Sequence, residues 1–144
     1  MFAHKVEIDI NRPVPEVFAF ITNPANHARW DSTSLVMEPQ SHGAWHSGMK
    51  LREVRKLGGR ETEVWSQVAD LEPNRRMTIK SLTGPEWLGE WYFEPVGNRT
   101  HLRFEAQMKT HGLMRLMEPM IAKSLKRDID ANFARLKTVL EGAE

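Results

Sequence analysis

The last part of the chain is what most restricts the fold. From Pro119 to Glu141, Ile121, Ala122, Leu125, Ile129, Phe133, Leu136, Val139 and Leu140 fall on a stripe about 120° wide at about 100° per residue. Lys123, Lys126, Arg127, Asp130 and Lys137 lie outside it. The spacing predicts one long amphipathic helix, about 34 Å from end to end at the α-helical rise. Gly112 to Met117 predicts an N-terminal extension, with Pro119 either starting the main helix or kinking it. A helix this long with a single apolar face must bury that face against something of similar span, and a sheet is the economical partner.

The rest of the sequence supplies such a sheet. Phe2, Val6, Ile8 and Ile10 alternate with Ala3, Lys5, Glu7 and Asp9, a period of two that predicts a half-buried strand, with His4 on its apolar side. Pro13 and Pro15 break the strand, and Val17, Phe18, Phe20 and Ile21 suit a short helix that Asn23-Pro24 ends. A second helical turn from Pro24 to Arg29 precedes Trp30. Strands follow at Leu35 to Pro39, Met49 to Leu57, Glu61 to Leu71, Met77 to Leu82, Glu86 to Glu94 and Thr100 to Lys109, seven with the first. Gly58-Gly59, Thr83-Gly84-Pro85 and Pro95 to Arg99 supply hairpin turns. The expected class is α+β: a seven-stranded curved antiparallel sheet around a long C-terminal helix, with two short helices after the first strand, in one domain over residues 1–144.

Composition removes several function classes. With no cysteine there is no disulfide framework, thiolate zinc site or cysteine nucleophile. Twenty Lys and Arg against nineteen Asp and Glu are interspersed to a net charge of +1, which predicts no nucleic-acid partner. Met1 to Glu7 lacks a secretory pattern, and no run of about 18 apolar residues predicts a membrane span, so the expected location is cytoplasmic. GxSxG, SxxK and Gly-rich phosphate loops are missing, which argues against covalent catalysis. His42 and His46 are four apart, but Gly43 and a loop pattern deny them a shared helix face, so neither a metal nor another cofactor is expected.

The order strand, two short helices, six strands and long helix combines with Pro13-Val14-Pro15-Glu16-Val17-Phe18, Trp30 and the run Val68-Ala69-Asp70-Leu71-Glu72-Pro73-Asn74-Arg75-Arg76. Together these resemble the START-like or SRPBCC superfamily, specifically its polyketide cyclase/dehydrase branch. Phe93 to Leu102 is similar to that family's penultimate hairpin, with Arg99 where a glycine is common, and Phe133 to Glu141 is similar to its terminal helix. The resemblance spans essentially the whole chain. It implies a helix-grip fold with a cavity between sheet and helix, used across the superfamily for lipids, sterols, hormones and polyketides. It does not choose between a binding protein, an enzyme and a partner-binding module.

Trp87, Trp91 and Phe93 share a parity on one strand with Gly89 between them, so one face carries three rings and a gap: a cavity wall, or core filling. Met49, Leu51, Glu53 and Arg55 share a parity on another; if the apolar pair faces inward, Glu53 and Arg55 follow and need each other or a ligand. Met108, Met114, Met117 and Met120 cluster near the start of the long helix, as an adaptable cavity mouth or as gap filling. Trp65 shares its parity with Glu63 and Gln67, which leaves its face open.

The first expectation is a small hydrophobic or aromatic guest, lipid- or polyketide-like. Trp87, Trp91, Phe93, Met49, Leu51, Met108 and Met117 would form walls, with Trp65 a further contact, and Glu53 and Arg55 would orient the guest. The second is a cyclase or dehydratase using Glu53, His27 or His111 for proton transfer, favoured by an inward acid of raised pKa. The third is an interaction module with an exposed apolar patch. A homodimer is left open. Lys123, Lys126 and Arg127 read as a solvated helix face, with membrane-surface contact as a second reading.

Overall fold

The strands are β1 (Phe2–Ile10), β2 (Ser34–Pro39), β3 (Lys50–Leu57), β4 (Arg60–Glu72), β5 (Arg76–Ser81), β6 (Glu86–Val96) and β7 (Arg99–Lys109). They form one antiparallel sheet in the order β1-β7-β6-β5-β4-β3-β2. The structure is a computed structural model that describes residues 1–57 and 60–142. All seven expected strands are present, each within two residues of its expected bounds. The Gly58-Gly59 turn lies outside the described residues, although Leu57 pairs with Arg60 on either side of it. In the β6–β7 turn Gly97 takes φ 62°, a value that a side chain would strain.

Between β1 and β2 lie α1 (Val14–Ile21), a 3₁₀ turn (Pro24–Asn26) and α2 (His27–Trp30). Pro15 occupies the first turn of α1, where a missing N–H costs nothing. The Asn23 side chain accepts from Ala25 N at 3.0 Å and caps the 3₁₀ turn. After β7 come α3 (Leu113–Leu116) and the long α4 (Glu118–Glu141), so Pro119 sits at the start of the main helix.

Residues directly opposite each other across a strand pair share a face, and this identifies the concave side. Met77 opposes Trp91, Trp91 opposes Phe104, and Phe104 opposes Val6. On the other wing Leu51 opposes Ser66 and Glu53 opposes Val64. α4 lies over this face and is tied to β1 along its length: His4 Nε2 is 2.8 Å from Asp130, and Lys137 Nζ donates to Asp9 O. From the expected stripe, Ile129, Phe133, Leu136 and Leu140 are fully buried.

Phe133 stacks on Phe104 with centroids 4.9 Å apart, and Trp91 and Trp30 close around the pair. The gap expected at Gly89 is occupied: a Cβ there would stand 3.2 Å from the Phe104 ring and 3.4 Å from Trp87 Nε1. Trp91 and Phe93 are therefore core residues, Phe93 edge-on to Phe18 at 5.3 Å, and Met49, Leu51 and Met108 are buried with them.

Candidate functional site

The polar exception to this apolar interior is assembled by α2, β2, β3 and α4. His27 and Asp31 bracket one helical turn, which brings their side chains to one side, and β3 alternation carries Glu53 and Arg55 to the concave face. His27 Nε2 lies 3.0 Å from Glu53 Oε2 and 3.5 Å from Asp31 Oδ2. Arg55 bridges the two acids, Nη1 donating to Glu53 Oε2 at 2.7 Å and Nη2 to Asp31 Oδ2 at 2.9 Å. Ser34 Oγ donates to Glu53 Oε2 at 2.7 Å, and Thr33 N and Oγ1 donate to Asp31 Oδ1. From α4, Asn132 Nδ2 donates to Asp31 Oδ1 at 3.2 Å, while its Oδ1 accepts from Ser32 N at 3.3 Å. Glu53 is 7% and Asp31 6% exposed, so both charges depend on these partners rather than on water.

The electrostatics follow. Burial is the largest influence on each acid and pushes its pKa up; for Asp31 the His27 hydrogen bond and the Arg55 charge outweigh it, and for Glu53 the same two partners do. Both pKa values are therefore lowered, that of Asp31 well below the ordinary carboxylate range. Burial pulls His27 down, but hydrogen bonds to Asp31 and Glu53 and their charges leave its pKa above the ordinary histidine value. With His27 protonated, two cations face two anions and the network is neutral.

His27, Asp31 and Glu53 each offer a ligand atom within 4.8 Å of the others, a spacing that suits a divalent cation. The donor set fits one poorly, because Arg55 already holds both carboxylates and a dication would sit beside its guanidinium. Sequence spacing did not single out this trio, since Glu53 comes from β3 while His27 and Asp31 belong to the α2 turn.

Three of the expected site residues, Trp65, His111 and Met117, meet elsewhere or stand apart. Trp65 opposes Arg52, and its Nε1 donates to Glu63 Oε1 at 2.8 Å on the convex face, so it does not line the interior. His111 is exposed, 3.8 Å from Glu86. Met117 is 53% exposed at the α3–α4 junction. Trp87 is inward but half-buried. Glu53 and Arg55 face inward and pair with each other, as their parity required. The raised acid pKa that would have favoured Glu53 as a proton donor is absent, because its pKa is lowered.

One strip of the concave face is less deeply buried than the rest. Val64, Ile79 and Trp87, with Ser66 and Ser81 between them, face inward yet are only half-buried, and so are Ile121 and Leu125 on α4. Val64 lies directly opposite Glu53 and Thr62 opposite Arg55, so the charged network borders this strip. A separate surface depression of about 380 Å³ lies between α1 and the β2–β3 loop, lined by Phe18, Pro24, Pro39, Trp45 and Pro73, and shares none of these residues.

The profile of the family described as polyketide cyclase / dehydrase and lipid transport matches residues 1–141. The chain belongs to that family. No curated protein sequence matches this polyketide cyclase/dehydrase family member. Among solved structures, a Thermus thermophilus protein aligns with TM-score 0.81 at 14% identity, over 99% of each chain. The Zhui aromatase/cyclase from Streptomyces sp. R1128 aligns with TM-score 0.80 at 15% identity, over 96% of this chain and 93% of that one. A START superfamily protein from Mycobacterium smegmatis aligns with TM-score 0.80 at 12% identity over the whole of both chains. At these identities the polyketide cyclase/dehydrase family member shares their fold, a helix grip, and its chemistry must be argued from its own residues.

Proposed function

We propose that the chain binds a small, neutral, apolar or aromatic molecule between the concave sheet face and the first half of α4. The observation that carries this reading is the half-burial of Val64, Ile79, Trp87, Ile121 and Leu125, apolar side chains turned inward where water still reaches them. A guest would remove that surface from water, at about 25 cal/mol per Å². Neutrality follows from the bordering network: Arg55 and His27 are matched by Asp31 and Glu53, so no spare cation awaits an anionic guest. The family description and the aromatase/cyclase fold neighbour support the same class of guest.

The test is titration with N-phenyl-1-naphthylamine, a neutral apolar fluorophore. Saturable one-to-one binding is expected, abolished by the space-filling Ile79→Trp and retained in Leu116→Asn. The sulfonated analogue 8-anilino-1-naphthalenesulfonate should bind at least about tenfold more weakly, a 1.4 kcal/mol difference. Absence of saturable binding, or binding indifferent to Ile79→Trp, overturns the reading.

A cyclase or dehydratase activity is the second reading, favoured by one observation: His27, whose pKa is raised by Asp31 and Glu53, stands 3.0 Å from Glu53 at the edge of the half-buried strip. In it His27 is the proton donor and Glu53 holds the imidazolium in place.

A further inference from the structure

We propose that the end of the molecule bearing α3 and the start of α4 docks on an anionic lipid bilayer. Leu113, Leu116, Met117 and Met120 follow the i, i+3, i+4, i+7 spacing that normally marks the buried face of a helix. Here that face is turned to solvent: Leu113 is 82%, Leu116 80% and Met120 66% exposed. Met114 beside them is exposed too, as is Leu82 in the β5–β6 connection at the same end of the sheet. The inward apolar stripe of α4 begins only at Ile121, half-buried, so the outward turn before it is a separate apolar surface. Exposed apolar side chains gathered in this way mark a contact surface.

Charge selects the occupant. Lys109, Arg115, Lys123, Lys126 and Arg127 are all exposed along this stretch, Arg127 lying 3.7 Å from Asp128, while the acid within it, Glu118, is half-buried, 2.7 Å from the N-terminal ammonium and accepting from Thr110 Oγ1 at 3.0 Å. Glu86 stands nearby, 3.9 Å from Lys109. The chain as a whole carries +1, so the cations are concentrated where the apolar residues are exposed. A second copy of the chain, meeting this one about a two-fold axis, would bring Arg115 and Lys123 against the same cations. An anionic bilayer takes the leucines and methionines at the headgroup boundary and places the cations at phosphates. The proposal stands independently of the interior guest, since none of these side chains belongs to the half-buried strip.

The test is co-sedimentation with vesicles of phosphatidylcholine alone and of phosphatidylcholine with an equal part of phosphatidylglycerol, alongside the mass of the lipid-free protein in solution. Binding to the anionic vesicles is expected, reduced roughly tenfold by Leu113→Asn with Leu116→Asn, by Lys123→Glu with Lys126→Glu, or by raising salt to about 0.5 M. These positions are exposed, so the variants should keep the parent's circular dichroism and melting temperature. No binding to anionic vesicles overturns the proposal. Binding that survives both pairs of substitutions does so too, as does a lipid-free dimer that Leu116→Asn dissociates.

Discussion

Arg55 reaches two carboxylates at once, Glu53 through Nη1 and Asp31 through Nη2, so its removal leaves both acids buried with only hydroxyl, amide and imidazole partners. Arg55→Met should cost about 3–5 kcal/mol, as when one partner of a buried ion pair is deleted, read as a shift in the urea midpoint. A loss below about 1 kcal/mol would mean that water already screens the cluster. The pairing of Glu53 with Arg55 was legible in the sequence, because alternation on β3 placed both on the face of Met49 and Leu51. Asp31 was not, although its position four residues after His27 on a helical turn was a usable signal. Trp65 was offered as a guest contact with its face left open, and its strand parity with Glu63 pointed to the convex side on which it lies.

Along α4 the apolar stripe is interrupted by one polar side chain that is nonetheless buried, Asn132. Its amide clamps α2 to α4 by donating to Asp31 and accepting from Ser32 N. By stripe logic Asn132→Leu should improve the helix, since leucine is the better helix former and extends the apolar face. The structure predicts the opposite: the Asp31 carboxylate loses one of its donors and Ser32 N its side-chain acceptor, at about 0.5–3 kcal/mol for hydrogen bonds of this kind. Thermal and urea unfolding of the variant decide between the two. A gain in stability would show that α2 and α4 are held by Trp30 and Phe133 packing alone.

For the whole molecule, the network implies a stability profile with two limbs. The folded pKa of His27 lies above its ordinary value of about 6.5, so its contribution is complete below that pH and is lost as pH rises through the folded value. Asp31 and Glu53 have lowered pKa values, so their contribution is complete above the ordinary carboxylate range and is lost as pH falls through the folded values. Urea midpoints should therefore be highest from about pH 5 to about 6.5 and fall on both sides. His27→Gln should flatten most of the alkaline limb. His101, raised by hydrogen bonds to Asp9 and Glu7 on the convex face, adds a weaker effect of the same sign because water screens it. If His101→Gln flattens that limb instead, the interior histidine is not the group that titrates.

The element order, the strand faces and the long helix were determined by the sequence itself, because periods of two and of 3.6 are local properties that each segment carries alone. Partnership was decided by the tertiary structure. Whether Trp91 lines a cavity or fills a core depends on Phe104, Phe133 and Trp30, which come from a different strand and two helices. His27, Asp31, Glu53 and Asn132 become one network only when α2, β3 and α4 converge, across separations of up to 101 residues. The same holds for Leu113 and Leu116, whose spacing fits a buried face and whose exposure arises because the sheet ends before reaching them. Local periodicity specifies which side of an element is apolar, and only the packed fold specifies what that side meets.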